Sequence, residues 1–392
     1  MEQLINSVYQ FIPILIPALI SFYCTNWIRP YILKVSIDKN IVDNPDTRKL
    51  QRTPIPVLGG LTVIFGVLTG VMAFGLFGEY YDMFPIFASI IIILIVGLID
   101  DMISLSPKIR FIVEIILVLY LIYTTGLQIN DFHGLWGVNI ISNYISIPLT
   151  VFACVGIINA INLIDGVDGY SSGYSIVCCI LFGTMFYILG NIRMVALATI
   201  VAMALIPFFF HNVFGEKSKM FIGDAGTLSL GIVFSIFVTA ILSSSTKATF
   251  NPNLGLIPFT LAVLCIPIFD TLRVMSTRAL RGKSPFSPDK THLHHMFIDL
   301  GFSHIGTTLS IISMNLFVVL CWFIVYRIGL SINVQLYVVI LLGLFITFIL
   351  YPFIRSHIHR NTMLYYKLHK LGCKSHFQHT SFWLRIQKWI DK

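Results

Sequence analysis

Residues 159–169 read NAINLIDGVDG and lie between two apolar runs, YISIPLTVFACVGII (144–158) and YSIVCCILFGTMFYIL (174–189). Four polar side chains recur at every third position: Asn159, Asn162, Asp165 and Asp168. A three-residue step on an α-helix falls about 60° short of a full turn, so neighbours in this series share a face. Gly166 and Gly169 then suit a helix end and a tight turn. The stretch reads as a membrane-crossing helix that ends at the water interface and aims amides and carboxylates into a pocket. An Asp at bilayer depth costs at least about 2.5–3.5 kcal/mol, which marks such a residue as functional. The competing reading, an ordinary polar turn between two spans, leaves the asparagines inside the preceding helix with nothing to do.

The rest of the chain is of the same kind. Of its 392 residues, 56% are hydrophobic and 11% charged, against roughly 25% charged in a soluble domain. Mean hydropathy is +0.85. A polytopic membrane protein follows, and a large soluble core does not. The seven cysteines (24, 154, 178, 179, 265, 321, 373) form no C-x-x-C pair and mostly lie in apolar runs. They read as small core residues, not as a disulfide frame or zinc site. MEQLINSVYQ at the start has no basic region, so the first apolar run is expected to be a retained span and not a cleaved signal.

With about 20 apolar residues per span, eleven helices are expected. They run over 8–28, 57–77, 84–100, 109–126, 145–162, 171–190, 194–211, 224–242, 255–275, 306–326 and 334–353. If the N-terminus is outside, 23 of the 26 Lys and Arg residues fall on the inner side, leaving only Arg193, Lys247 and Arg327 outside. This split obeys the positive-inside rule. The fold class is therefore all-α and integral to the membrane: a bundle of about eleven transmembrane helices with active-site loops on the cytoplasmic face. The expected address is a cytoplasmic membrane, with the N-terminus outside and the C-terminus inside. The net charge of +8 becomes a property of the inner face, suited to anionic headgroups and anionic substrates. No soluble basic domain exists to take a nucleic acid.

Every unusual polar motif falls on that same face. GLIDDMISLSPKIR (97–110) ends a helix in two adjacent carboxylates, Asp100 and Asp101. A helix C-terminus is already negative, so a cation should compensate: Mg²⁺, Lys108 or Arg110. KMFIGDAGTLSLG (219–231) puts Asp224 at a helix start, where it would serve as a plain cap or, beside the other acids, as a Mg²⁺ ligand. SPFSPDKTHLHHMF (284–297) carries Lys290, His292, His294 and His295. These read as a metal site or, with Arg281 nearby, as groups hydrogen-bonding phosphate oxygens, and we favour the latter. NIVDNPDTRKLQRTPIPVLGG (40–60) is basic; Arg48 there either meets a lipid phosphate or simply obeys the positive-inside rule. Taken together, carboxylates, amides and basic groups around a cytoplasmic-face cleft suit phosphoryl transfer between a soluble phosphate ester and a membrane lipid phosphate. Such chemistry asks mainly for positioning and charge neutralisation.

GLIDD, NAINLIDGVDG, FIGDAG and SPDKTHLHH, in this order, resemble the polyprenyl-phosphate N-acetylhexosamine-1-phosphate transferases. The H-x-H-H form and the PFSPD lead-in resemble the WecA/TagO branch more than the related MraY branch. The likeness covers about 29–305. It implies transfer of a sugar 1-phosphate, GlcNAc-1-phosphate above all, from a UDP-sugar to undecaprenyl phosphate, with release of UMP. The alternatives are UDP-GalNAc or UDP-MurNAc-pentapeptide as donor. The product would be the lipid-diphosphate sugar that starts a cell-surface polysaccharide in the bacterial inner membrane. It further implies Mg²⁺, with Mn²⁺ as a substitute, on Asn162 and Asp224. Asp100, Asp101 and Lys108 match the catalytic group at the lipid-phosphate side. Asp165 and Asp168 match the nucleotide-side acids, Arg110 completes a basic pair with Lys108, and the three histidines match the diphosphate-binding set; Asn159, Arg48 and Lys290 join the substrate-binding residues. A homodimer stays open. Residues 1–353 would form the catalytic membrane domain and 354–392 a basic cytoplasmic tail. SFWLRIQKWI in that tail reads as an interfacial amphipathic helix, with Phe382, Trp383, Ile386 and Trp389 against Arg385 and Lys388.

The rival class is an ion-coupled transporter, which needs acids spread through the bilayer midplane. Only Glu114 is expected within a span away from the inner edge, and that favours the enzyme.

Overall fold

The computed structural model describes residues 2–44, 53–78, 83–246, 253–284, 291–377 and 380–391. Arg48 and Lys290 lie outside these residues. The described part is helical apart from a two-stranded hairpin, β1 (Val42–Asp43) against β2 (Ile55–Pro56).

The first eight helices are α1 (Glu2–Asp38), α2 (Gly59–Gly75), α3 (Phe84–Ile103), α4 (Pro107–Thr125), α5 (Asn143–Leu163), α6 (Tyr170–Ile188), α7 (Ile192–Phe214) and α8 (Gly223–Ile241). Then come α9 (Leu256–Val263) and α10 (Cys265–Leu280), bent by 71° at their junction. The expected single helix over 255–275 is therefore broken at Leu264. α11 (Leu293–Asp299) is short, and α12 (His304–Arg327) is long. α13 (Ile332–Leu344) runs through a π-helical stretch (Phe345–Leu350) into α14 (Tyr351–His359), so position 353 falls inside one continuous rod. α15 (Met363–Cys373) and α16 (Ser381–Ile390) finish the chain.

Eight of these segments are long and apolar enough to cross a membrane, and nine if the bent pair counts as one span. α2 has only 17 residues. α4 carries Lys108, Arg110 and Glu114, which dilute its apolar character. Each expected helix has a helical counterpart, and the architecture is a polytopic membrane bundle.

The bundle is organised around α8, which is buried from Ala225 to Ile241. α2, α3 and α5 all pack on it. Close approach needs small residues. A Cβ on Gly60 of α2 would sit 2.2 Å from the Gly226 nitrogen, one on Gly97 of α3 2.4 Å from Ala225 Cα, and one on Gly231 2.6 Å from Ile158 Cα of α5. In an apolar solvent, packing of this kind replaces the hydrophobic drive between helices. Outward-facing Ile, Leu and Phe on α3, α4 and α12 are exposed, as lipid contact requires.

Gly60→Ala is expected to destabilise by about 1–3 kcal/mol through overpacking. Gly75→Ala, whose Cβ meets nothing within 4 Å, is expected to be neutral. Thermal midpoints in detergent check this; an unchanged midpoint for Gly60→Ala would mean that the α2–α8 crossing has slack.

Candidate active site

The N-terminus of α8 fixes one side of the site. Asp101, at the end of α3, accepts hydrogen bonds from the Asp224 and Ala225 backbone N–H groups, at 2.8 and 3.0 Å. A carboxylate on an open helix N-terminus meets unsatisfied donors and the positive dipole end. Gly223 makes the turn at φ +67°, and a Cβ there would meet Val57 O at 2.4 Å and Asp101 Oδ2 at 2.7 Å. The cap thus comes from another helix, and the Asp224 side chain is released to the cavity, where it hydrogen-bonds Asn162 of α5. Asn162 Oδ1 also accepts from the Thr227 hydroxyl at 3.3 Å.

Asp100, one residue earlier, turns elsewhere. It is buried, accepts from Leu105 N at 2.7 Å, and pairs with Arg110 Nη1 at 3.1 Å. Arg110 Nε lies 3.7 Å from Glu114 Oε1, and Glu114 Oε2 accepts from Asn159 Nδ2 at 2.6 Å. Asp100 does not line the cavity, which corrects its expected place facing an incoming phosphate: its lone pairs face Arg110 and its own helix end. Lys108 is exposed on the first turn of α4 and does not line the cavity either.

The turn between α5 and α6 carries the other two acids. Gly169, at φ +77°, donates its N–H to Asn212 Oδ1 at 2.6 Å, and Asn212 Nδ2 donates to Met220 O at 2.8 Å. This ties the turn to the segment leading into α8. Asp168 lies 2.6 Å from Lys219 Nζ and 2.7 Å from His304 Nδ1. Burial alone would raise its pKa; His304 and Lys219 outweigh that and hold it below the usual carboxylate value. Asp165 accepts from the Ser171 hydroxyl at 3.1 Å. Desolvation among the surrounding protein atoms raises its pKa to about 7, opposed by Ser171 and reinforced by Asp224, Asp168 and Asp43. Its solvent access through the cavity mouth tempers that shift.

The histidines sit on a scaffold of their own. Asp270 of α10 accepts from Leu293 N at 3.1 Å and lies 3.0 Å from His292 Nδ1, while Arg273 Nη2 donates to its other oxygen at 2.6 Å. Arg273 also donates to Thr291 O at 2.6 Å and lies 3.7 Å from the Tyr351 ring centre. Burial, then the neighbouring His295 and His292, hold the pKa of His294 well below its ordinary value, so it is neutral at pH 7. A Cβ on Gly166 would lie 2.6 Å from His294 Nε2, so only glycine lets the turn and the histidines meet.

Asp101, Arg110, Asn159, Asn162, Asp165, Asp168, Asp224, His292, His294 and His295 all line one cavity of about 1520 Å³. Its far flank is apolar, with Phe111, Ile115, Leu119, Phe152 and Leu261. Sequence reasoning missed Asp270, Arg273, Lys219 and His304. Asp270 lies in an expected span as much as Glu114 does, and an acid in the apolar run CIPIFDTL was the available signal. Lys219 and His304 gave no such signal, since both lie at loop edges.

Among the described residues, no three His, Cys, Asp or Glu side chains already converge on a metal position. The Asp224 carboxylate beside the Asn162 amide, with further carboxylates across the cavity, suits a divalent cation that keeps waters or substrate oxygens. A buried Asp168 oxygen, Oδ1, has no hydrogen-bond partner among the described residues. The donor set is all oxygen, which fits Mg²⁺ better than zinc.

A second cavity of about 950 Å³ shares Gly166 and Asp168 with the first, and Trp383, Leu384 and Gln387 of α16 line it. Asp391 caps the backbone N–H groups of Glu216, Lys217 and Ser218, at 3.0, 3.3 and 3.0 Å. The expected amphipathic helix is thus docked on the protein through Trp383 and Ile390, which are buried, while Phe382 and Trp389 remain exposed.

The sequence model of Glycosyl transferase family 4 matches residues 83–242. A probable undecaprenyl-phosphate N-acetylglucosaminyl 1-phosphate transferase of Bacillus subtilis is 32% identical over 359 residues, spanning 90% of this chain and 92% of that protein. An undecaprenyl-phosphate α-N-acetylglucosaminyl 1-phosphate transferase of Yersinia pestis is 30% identical over 274 residues (69% of this chain, 73% of that protein). The Escherichia coli K12 protein of the same name is 29% identical over 275 residues (69% and 72%).

Asp168 has a pH signature. Its folded pKa lies below the unfolded value of about 3.9, so its contribution to stability is complete above about pH 4 and is lost as pH falls through the folded value. Asp168→Asn is therefore expected to destabilise more at pH 7 than at pH 3. Thermal midpoints of both proteins at the two pH values check this; an equal difference would mean that the ion pairs add nothing.

Proposed function

The chain belongs to glycosyl transferase family 4, among the undecaprenyl-phosphate N-acetylglucosaminyl 1-phosphate transferases, and we propose that it moves N-acetylglucosamine 1-phosphate from UDP-N-acetylglucosamine to undecaprenyl phosphate, releasing UMP. The observation that carries this reading is one cavity with two kinds of wall. Its polar end presents carboxylates, amides, an arginine and histidines; its flank is apolar and lies between α4, α5 and α9. A soluble diphosphate and a lipid tail can meet only where both walls exist.

In the reaction, an oxygen of the acceptor phosphate forms a bond to the β-phosphorus of the donor. The bond from that phosphorus to the bridging oxygen breaks, and UMP leaves with the electron pair. A phosphate monoester with a second pKa near ~6 is already largely ionised at neutral pH, so no strong base is required. The residues therefore act by position. Arg110 receives the lipid phosphate, with Asp100 holding it from behind and Asn159 standing beside it. Asp165 and Asp168 sit at the nucleotide end, and the histidines meet the diphosphate as neutral or charged donors. Asp224 and Asn162 are the residues that would hold Mg²⁺, with Mn²⁺ as a substitute. That ion supplies charge neutralisation on the diphosphate and the leaving UMP.

The finer topology belongs to the same proposal. With eleven crossings, counting α2 and α4, and the N-terminus outside, the site and tail would lie at the cytoplasm of a bacterial inner membrane. The 23-to-3 division of Lys and Arg supports it.

Membranes given radiolabelled UDP-N-acetylglucosamine and undecaprenyl phosphate should pass label into the organic phase. UDP-N-acetylgalactosamine in a parallel reaction reads the sugar preference. Asp224→Asn should nearly abolish transfer and raise the Mg²⁺ requirement while the protein still inserts. Near-normal turnover with unchanged Mg²⁺ dependence would remove Asp224 from the metal site.

Topology has its own check. Cys373 is exposed on the tail helix α15 and should react in intact cells only with membrane-permeant maleimides. Asn139→Cys, in the exposed stretch between α4 and α5, should also react with impermeant ones. The opposite pattern would invert the orientation.

A further inference from the structure

Glu114 sits wholly buried in the middle of α4 and does not line the cavity. An ionisable side chain in a membrane helix is costly and persists where it does something. Both groups it contacts do line the cavity: Arg110 and Asn159.

The geometry points to Glu114 as the positioning residue for the acceptor end of the site. This assignment rests on the transferase reading above. Asn159 Nδ2 donates to Glu114 Oε2 at 2.6 Å and to Val155 O at 2.9 Å. Both amide hydrogens are then committed to the protein, so Asn159 acts here by holding Glu114 and leaves the phosphate to Arg110. Asn159 holds Glu114 by Oε2, which leaves Oε1 on the side of Arg110.

Arg110 is held by the same logic. Asp100 engages Nη1 at 3.1 Å and Glu114 stands 3.7 Å from Nε, on opposite sides in sequence of one guanidinium. A guanidinium has three nitrogens and five N–H donors in a fixed plane. With Nη1 hydrogen-bonded to Asp100 and the Glu114 carboxyl beside Nε, the guanidinium is held from two sides and its remaining donors keep a defined direction for a phosphate. Phe111 and Ile115, flanking on the same helix, belong to the apolar wall. Glu114 therefore lies where the phosphate of a lipid, and not the nucleotide, arrives. Asp165 and Asp168, at the other end of the cavity, make no contact with it.

The test is steady-state kinetics of the full-length protein in detergent, with UDP-N-acetylglucosamine and undecaprenyl phosphate each varied. Glu114→Leu should raise KM for undecaprenyl phosphate about tenfold or more, the scale of a lost charge-assisted contact. KM for the UDP-sugar and calorimetric UMP binding should stay within about twofold. Glu114→Gln keeps an oxygen for Asn159 but loses the charge beside Arg110. It should raise the acceptor KM about threefold, less than Glu114→Leu does, and it carries the test alone if Glu114→Leu does not fold, an unchanged acceptor KM then overturning the assignment. An unchanged acceptor KM in Glu114→Leu would overturn the assignment. An equal rise in both KM values, or loss of UMP binding, would do so too, because that is what a purely structural role produces. A wild-type protein that binds UMP but transfers no label would sink the reaction reading itself, and the positioning role with it.

Discussion

The contact on which the site depends is the Asp101 carboxylate on the N-terminus of α8. α8 is the buried centre of the bundle, and its first N–H groups open toward the cavity. Left uncapped at that depth, those donors would each cost on the order of 1–3 kcal/mol. Capping from within would consume the side chain of Asp224. With the cap supplied by α3, Asp224 is free to face Asn162. Gly60 and Gly97 permit this, since any side chain at either position would push α2 or α3 away from α8.

Charge is handled by the same rule throughout. No acid of the site stands alone in the apolar part of the bundle. Asp100 and Glu114 share Arg110, and Asp270 is shared between Arg273 and His292. Paired and hydrogen-bonded charges are tolerated inside a membrane protein where isolated ones are not. Glu114, an acid expected within a span, could have signalled ion coupling. Its contacts instead join it to the cavity wall, which turns a feature of the rival class into part of the enzyme.

The tail is likewise drawn into the site. Asp391 occupies three converging N–H groups at 216–218, and Trp383 packs on Phe214 with ring centres 4.4 Å apart. Composition marks α16 as amphipathic, but an apolar stripe fits a membrane surface and a protein groove equally well. Only the positions of Phe214 and Ser218 decide between them.

What the sequence determined by itself is what depends on local pattern. Hydropathy marks the helices because transfer to lipid acts residue by residue. NAINLIDGVDG, GLIDD and FIGDAG mark the site because polar residues at helix ends are expensive wherever the chain goes. What only the tertiary structure decided is which side of each motif faces the cavity. Asp100 and Asp101 are adjacent in sequence, yet one is buried against Arg110 and the other caps a helix 123 residues away. Asp270, Lys219 and His304 enter through contacts 22, 51 and 136 residues apart in the chain. Consecutive residues on a helix point about 100° apart, and no local rule says which direction will meet a partner from another helix.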